Sequence, residues 1–268
     1  MKTVNPIVRQ ILRSAWLLVL IQPCACNSQV ASEETGSVAG GSIEPATLAV
    51  IVNDADPLSR RIGAYYAQQR HIPENNLIHV SFASDRSGMT RGEFAQVMAT
   101  VNARVPSSVE AYALAWTRPY RVGCMSITTA FAVGYDEAFC ARGCKATRPS
   151  PYFDTDSRRP HEDFGWRPAM MLAGTGFDDI KALIDRGIAA DGTRPPGTGY
   201  LVSTSDAARN VRSRFYPGIM LMQSDRFRFK LIQSNTVRYR TDVMFYFTGL
   251  ARVEGIDTDH FLPGAIAD

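Results

Sequence analysis

From residue 47 onward, continuous apolar runs alternate with stripes of apolar residues spaced three and four apart. Residues 47–52, with Leu48, Val50, Ile51 and Val52, form an uninterrupted run, the pattern of a strand buried on both faces. Asp56 before Pro57 predicts an N-cap and a first helical turn, and Leu58, Ile62, Tyr65, Tyr66 and Gln69 follow at helical spacing. His71, Ile72 and Pro73 end that helix, and residues 77–80 read as a second strand. Thr90 with Glu93 predicts a capping box for a helix to about Arg104, with Phe94, Val97, Met98 and Val101 on one face. Residues 112–116 give a third strand. This β-α-β-α-β order predicts a parallel sheet covered by helices, a three-layer α/β fold.

The stretch 117–172 is rich in Gly and Pro and shows little periodicity. Order resumes at Thr175, Gly176, Phe177 and Asp178, a capping signal for a helix with Phe177, Ile180, Ile184 and Ile188 on one face, ending near Asp191 and Gly192. Residues 200–203 and 243–247 are further strands, and the sequence shows no internal repeat. Residues 264–268 read as the first turn of another helix, so the chain is expected to be truncated at its C-terminus.

Residues 1–30 change what the composition means. Lys2, Arg9 and Arg13 precede the short apolar run 15–21, and Pro23, Cys24, Ala25 and Cys26 follow. That run is too short to cross a bilayer and reads as a signal peptide, with lipidation at Cys24 or Cys26 as the lesser alternative. Residues 31–46 form a polar, small-residue linker, and residues 47–268 a single domain. The chain of 268 residues carries a net charge of +3, but 29 Lys and Arg less the leader's three leave 26, against 26 Asp and Glu. The mature protein is neutral overall, which removes the electrostatic argument for nucleic acid. Export to the periplasm or beyond is expected, with no transmembrane segment once the leader is removed.

Candidate chemistry gathers after the strands, where open parallel sheets hold ligands. Asn53, Asp54, Ala55 and Asp56 follow the first strand and read chiefly as an Asx turn with a helix cap. Arg118, Tyr120 and Arg121 follow the third strand and suit a carboxylate, phosphate or sugar acid by bidentate pairing. The competing reading pairs both arginines internally with Asp136, Glu137 or nearby carboxylates. Among Cys124, Cys140 and Cys144, an exported protein forms a disulfide by default, with the pairing open and one thiol left over. A zinc site from these cysteines and His161 matches no familiar spacing, and no metal or cofactor is expected. Cys124 as a nucleophile needs a base, for which His79 and His161 are candidates. Residues 209–240 carry eight basic side chains and one acid, Asp225, interleaved with Phe215, Tyr216, Phe227, Phe229 and Tyr239. They read as a half-exposed strand or as a surface for an anionic polymer or membrane headgroups.

Several segments together resemble a known family: Val52 to Ser59, Tyr65 and Tyr66 through Asn76, Ala113 to Tyr120, Ser150 to Phe153, Ala182 to Gly187, and Phe261 to Asp268. The family consists of exported bacterial proteins, without an assigned activity, from species that carry the exosortase protein-sorting system. The resemblance covers residues 47–268 and implies an envelope context. More distantly, the layout is similar to gingipain-type, caspase-like peptidases, in which a Tyr-Thr-Gly-His-Gly-like turn carries the catalytic His. Here Tyr246, Phe247, Thr248 and Gly249 are followed by Leu250, which cannot accept a proton, and the chain stops at Asp268 before the position of a nucleophilic Cys. The resemblance therefore implies a non-catalytic binding or accessory component of an envelope protein-sorting or exopolysaccharide system, with an envelope polymer or a sorted exported protein as partner. The alternative is a peptidase-like hydrolase with a non-standard or missing dyad.

Overall fold

The computed structural model describes residues 43–140, 146–153 and 155–268. The signal peptide, Cys24, Cys26, most of the linker and Cys144 lie outside the described residues. The last linker residues join the fold: Pro45–Thr47 forms a 3-10 turn, and the Asn76 side chain donates to the Ala46 and Leu48 carbonyls.

The first sheet has the order β2-β1-β4-β7, from Leu77–Val80, Leu48–Asn53, Ala111–Leu114 and Ala169–Met171, with every pair parallel. Both faces are covered. Val50, Val52, Ala113 and Ala115 meet α1 (Pro57–Arg70) and α5 (Phe177–Ala190) through Ile62, Ile180 and Ile184. Ala49, Ile51, Tyr112, Leu114 and Trp116 meet α2 (Arg91–Arg104) and α3 (Ile127–Val133) through Phe94, Val97, Val101, Ala130 and Phe131. This is the three-layer α/β arrangement that the alternation predicts. Gly63 allows α1 to lie close to β1, since a Cβ there would sit 2.4 Å from a Val52 methyl.

The helix ends follow their sequence signals. Asp56 accepts from the Leu58 amide at 2.9 Å with Pro57 in the first turn. Thr90 and Glu93 form the reciprocal capping box of α2, and the hydrogen bonds from Thr90 and then Arg86 hold the Glu93 carboxyl at about 2.

A second parallel sheet of four strands, rather than an extension of the first, takes the C-terminal half. Its order is β11-β10-β8-β9, from Phe261–Ala267, Val243–Thr248, Thr198–Ser203 and Arg228–Gln233. Both sheets place their first strand between their second and third, so each has a crevice where the strand order reverses. That topological repeat has no counterpart in the sequence. A small sheet joins β3 (Gly88–Met89), β5 (Arg121–Val122) and β6 (Met125–Ser126), and α4 (Pro160–Phe164) and α6 (Tyr216–Met222) complete the elements.

Residues 264–268 are not a helix. They extend β11 along β10, with Phe245 opposite Ile266 and Tyr246 opposite Ala267. The Thr248 amide donates to the Asp268 carbonyl at 2.8 Å, so the open edge of β10 supplies backbone partners that a single helical turn lacks.

The end of β1 is fastened by one buried side chain. Asn53 Nδ2 donates to the Phe82 carbonyl at 2.9 Å, and Asn53 Oδ1 accepts from the Phe82 amide at 3.0 Å. Asn53→Leu keeps the volume but leaves both Phe82 groups unpaired, and should lower the unfolding free energy by about 2–4 kcal/mol in a urea melt. A loss below about 0.5 kcal/mol would show that this clamp carries no weight.

Candidate functional site

The site is built on the turn that leaves β4. Trp116 is fully buried, packs edge-on against Phe82 at 5.0 Å, and donates through Nε1 to the Pro119 carbonyl at 3.0 Å. Thr117 is tied across to Gly174, donating through its hydroxyl to the carbonyl at 3.1 Å and accepting from the amide. Arg118 follows these two anchors, before a cis bond to the buried Pro119. Beyond it, the Tyr120 amide donates to the Ser87 carbonyl and the Tyr120 carbonyl accepts from Ile127. Backbone from residue 116 to residue 122 is thus fixed, while the side chains of Arg118, Tyr120 and Arg121 face solvent; Tyr120 is 50% exposed.

The acids expected to neutralise these arginines are engaged elsewhere. Asp136 caps the 3-10 turn Glu137–Phe139 and pairs with Arg148 at 2.8 Å. Glu137 pairs with Arg91, whose guanidinium also lies 4.7 Å from the centre of the Tyr135 ring. Among the described residues, Arg118 has no hydrogen-bond or ion-pair partner. Arg121 lies across Gly88, and its one hydrogen bond among the described residues is long, 3.4 Å, from its Nη1 to the Gly123 carbonyl. Neither pairs with Asp136 or Glu137. Arg118, Tyr120 and Arg121 are thus exposed along one turn at the end of the first sheet, and the two acids belong to separate ion pairs.

Cys124 and Cys140 are joined by a disulfide, with Cα atoms 5.5 Å apart. Cys140 is in the core beneath α3, and Cys124 Sγ lies 3.3 Å from the Tyr135 hydroxyl. A sulfur in a disulfide is not a thiolate, so Cys124 in this state is no nucleophile. Neither histidine serves it. Burial, then the adjacent Arg167, lowers the His161 pKa, and its Nε2 contacts the Arg167 guanidinium while its amide donates to buried Glu110 before β4.

His79 belongs to a pair that residue reading missed. Parallel pairing sets Val52 beside His79 and Asn53 beside Val80, which brings His79 Nδ1 to 2.7 Å from Asp54 Oδ1. The pair borders a cleft of about 480 Å³ that also includes Ser81, Glu93, Thr100 and Arg104. Only the register of β1 against β2 could have revealed it. The 53–56 segment otherwise forms the expected turn, with Asn53 Oδ1 accepting from Ala55.

Comparison with family models, with curated proteins and with solved structures finds no match to this chain. Among the described residues, no helix is long and apolar enough to cross a membrane.

Closing a loop of 16 residues constrains the unfolded chain, so opening the Cys124–Cys140 bond should cost about 3 kcal/mol of stability. Peptide mapping without reductant should recover Cys124 joined to Cys140, with both alkylated only after reduction. Recovery of either one joined to Cys144 would overturn this pairing.

Proposed function

We propose that the chain is an exported, non-catalytic binding component of an envelope protein-sorting or exopolysaccharide system, and that the Arg118–Arg121 turn takes its anionic ligand. The observation that supports this reading is two exposed guanidiniums that meet no carboxylate among the described residues, held on backbone fixed by Trp116 and Thr117. A fixed backbone lowers the ordering cost of binding, and a guanidinium presents two parallel donors to a carboxylate or phosphate. Tyr120 adds an exposed ring on the same turn, which suits the apolar face of a sugar. The ligand class is therefore an acidic polysaccharide of the envelope or an acidic segment of a sorted protein. The envelope context comes from the family resemblance of residues 47–268.

The hydrolase reading gains no support from this geometry. Cys124 is bonded to Cys140, and Leu250, which follows β10, offers no base.

Calorimetric titration with polygalacturonate, a polymer of uronic acids, tests the site. The wild-type chain should bind saturably, and the Arg118→Ala/Arg121→Ala double variant should bind at least about tenfold more weakly, the effect of about 1.4 kcal/mol of lost pairing. Unchanged affinity in the double variant would remove these residues from the site.

A further inference from the structure

The second sheet leaves one face only partly covered. Its other face is closed by Tyr200, Val202 and Tyr246 against Val237, Val253 and Phe261. On that face, aromatic rings from β10, β9 and the loop before β9 lie in contact across β8. Phe247 stacks on Phe245 at 6.2 Å, Phe245 on Phe229 at 6.2 Å, and Phe227 meets Phe245 edge-on at 5.2 Å. Gly199 makes room for this row, since a Cβ there would stand 2.5 Å from the Phe229 ring. At one end, α6 and the 3-10 turn before it border an apolar cavity of about 360 Å³ with Leu201, Phe215, Ile219 and Phe247 in its walls. The end of α6 projects beyond this floor: Leu221 and Met222 are each 79% exposed.

Cations accompany the apolar surface. Arg214 lies 4.7 Å from the Phe215 ring and Arg226 lies 5.9 Å from the Phe227 ring, and neither pairs with an acid among the described residues. Asp225 is the one acid in residues 209–240, against eight Lys and Arg.

We propose that this face docks on an anionic lipid bilayer, with Leu221 and Met222 entering the headgroup boundary and Arg214 and Arg226 meeting lipid phosphates. Shape and charge together select that occupant. Adjacent residues protruding from a helix of seven residues make a wedge, whereas a partner helix is received by a groove. Leu221 and Met222 carry no hydrogen-bonding group for a polysaccharide, while an apolar tip flanked by arginines is the pattern of an interfacial segment. A two-fold contact between copies would set the basic rim against itself. The surface is separate from the Arg118–Arg121 turn and does not depend on the reading of that turn.

Co-sedimentation of the full chain with phosphatidylglycerol/phosphatidylcholine vesicles tests the proposal, and any contact made by residues 1–42 is common to all variants. The expected result is binding that weakens at least tenfold in Leu221→Ser/Met222→Ser and in Arg214→Gln/Arg226→Gln, and that falls steeply with added salt. Binding that is equal in wild type and both variants would overturn the proposal, as would equal binding to neutral phosphatidylcholine vesicles. So would light scattering that finds a dimer abolished by the Leu221→Ser/Met222→Ser pair, since the face would then serve self-association.

Discussion

Strands in a parallel sheet turn alternate side chains to opposite faces, and each apolar face needs a layer against it. The first sheet meets this requirement twice, with α1 and α5 on one face and α2 and α3 on the other. Because α5 also touches β11 of the second sheet, the two halves share one helix. The second sheet closes one face with its own loops and leaves the aromatic row on the other partly exposed. The candidate ligand turn and the partly covered face both arise from this division, one at the end of a fully covered sheet and one on the surface of a half-covered sheet.

Stability and the proposed binding role fall to different residues of the first sheet. Asn53, Trp116 and Thr117 spend their hydrogen bonds on backbone groups and fix where the strands end. Among the described residues Arg118 has no polar partner and Arg121 one long hydrogen bond, and exposed ion pairs contribute little to stability in any case. Replacing them therefore probes recognition without loosening the scaffold. Polar groups inside the second sheet are similarly committed to structure. Asp242 accepts from Thr198 and Tyr200, which lowers its own pKa, while burial and that hydrogen bond raise the Tyr200 hydroxyl to about 12.

Elements with a strong local signal were legible in the sequence. The β-branched run of β1 and the isoleucine stripe of α5 carry their period in a few neighbouring residues, and the Asp56–Pro57 start of α1 and the Thr90–Glu93 box of α2 carry their caps, whereas α5 starts from Gly176 without a side-chain cap. In contrast, α3 starts from Ser126 through the β-branched Ile127, Thr128 and Thr129, and β7 is three residues long, so neither shows a period. The last strand was hidden because Pro263 and Gly264 mask its pattern, and only the edge of β10 makes it a strand. At the site, the residue types after β4 were legible but their partners were not. Glu137 finds Arg91 across 46 positions and Asp54 finds His79 across 25, distances over which the folded topology decides contact.

The proposed function rests on a fixed turn whose two guanidiniums meet no carboxylate among the described residues. Amide hydrogen exchange of the full chain, with and without polygalacturonate, addresses it at the level of segments. The account predicts added protection confined mainly to residues 117–122 and its loss in the Arg118→Ala/Arg121→Ala variant. Binding that leaves residues 117–122 unprotected, or protection that persists in the variant, would contradict it.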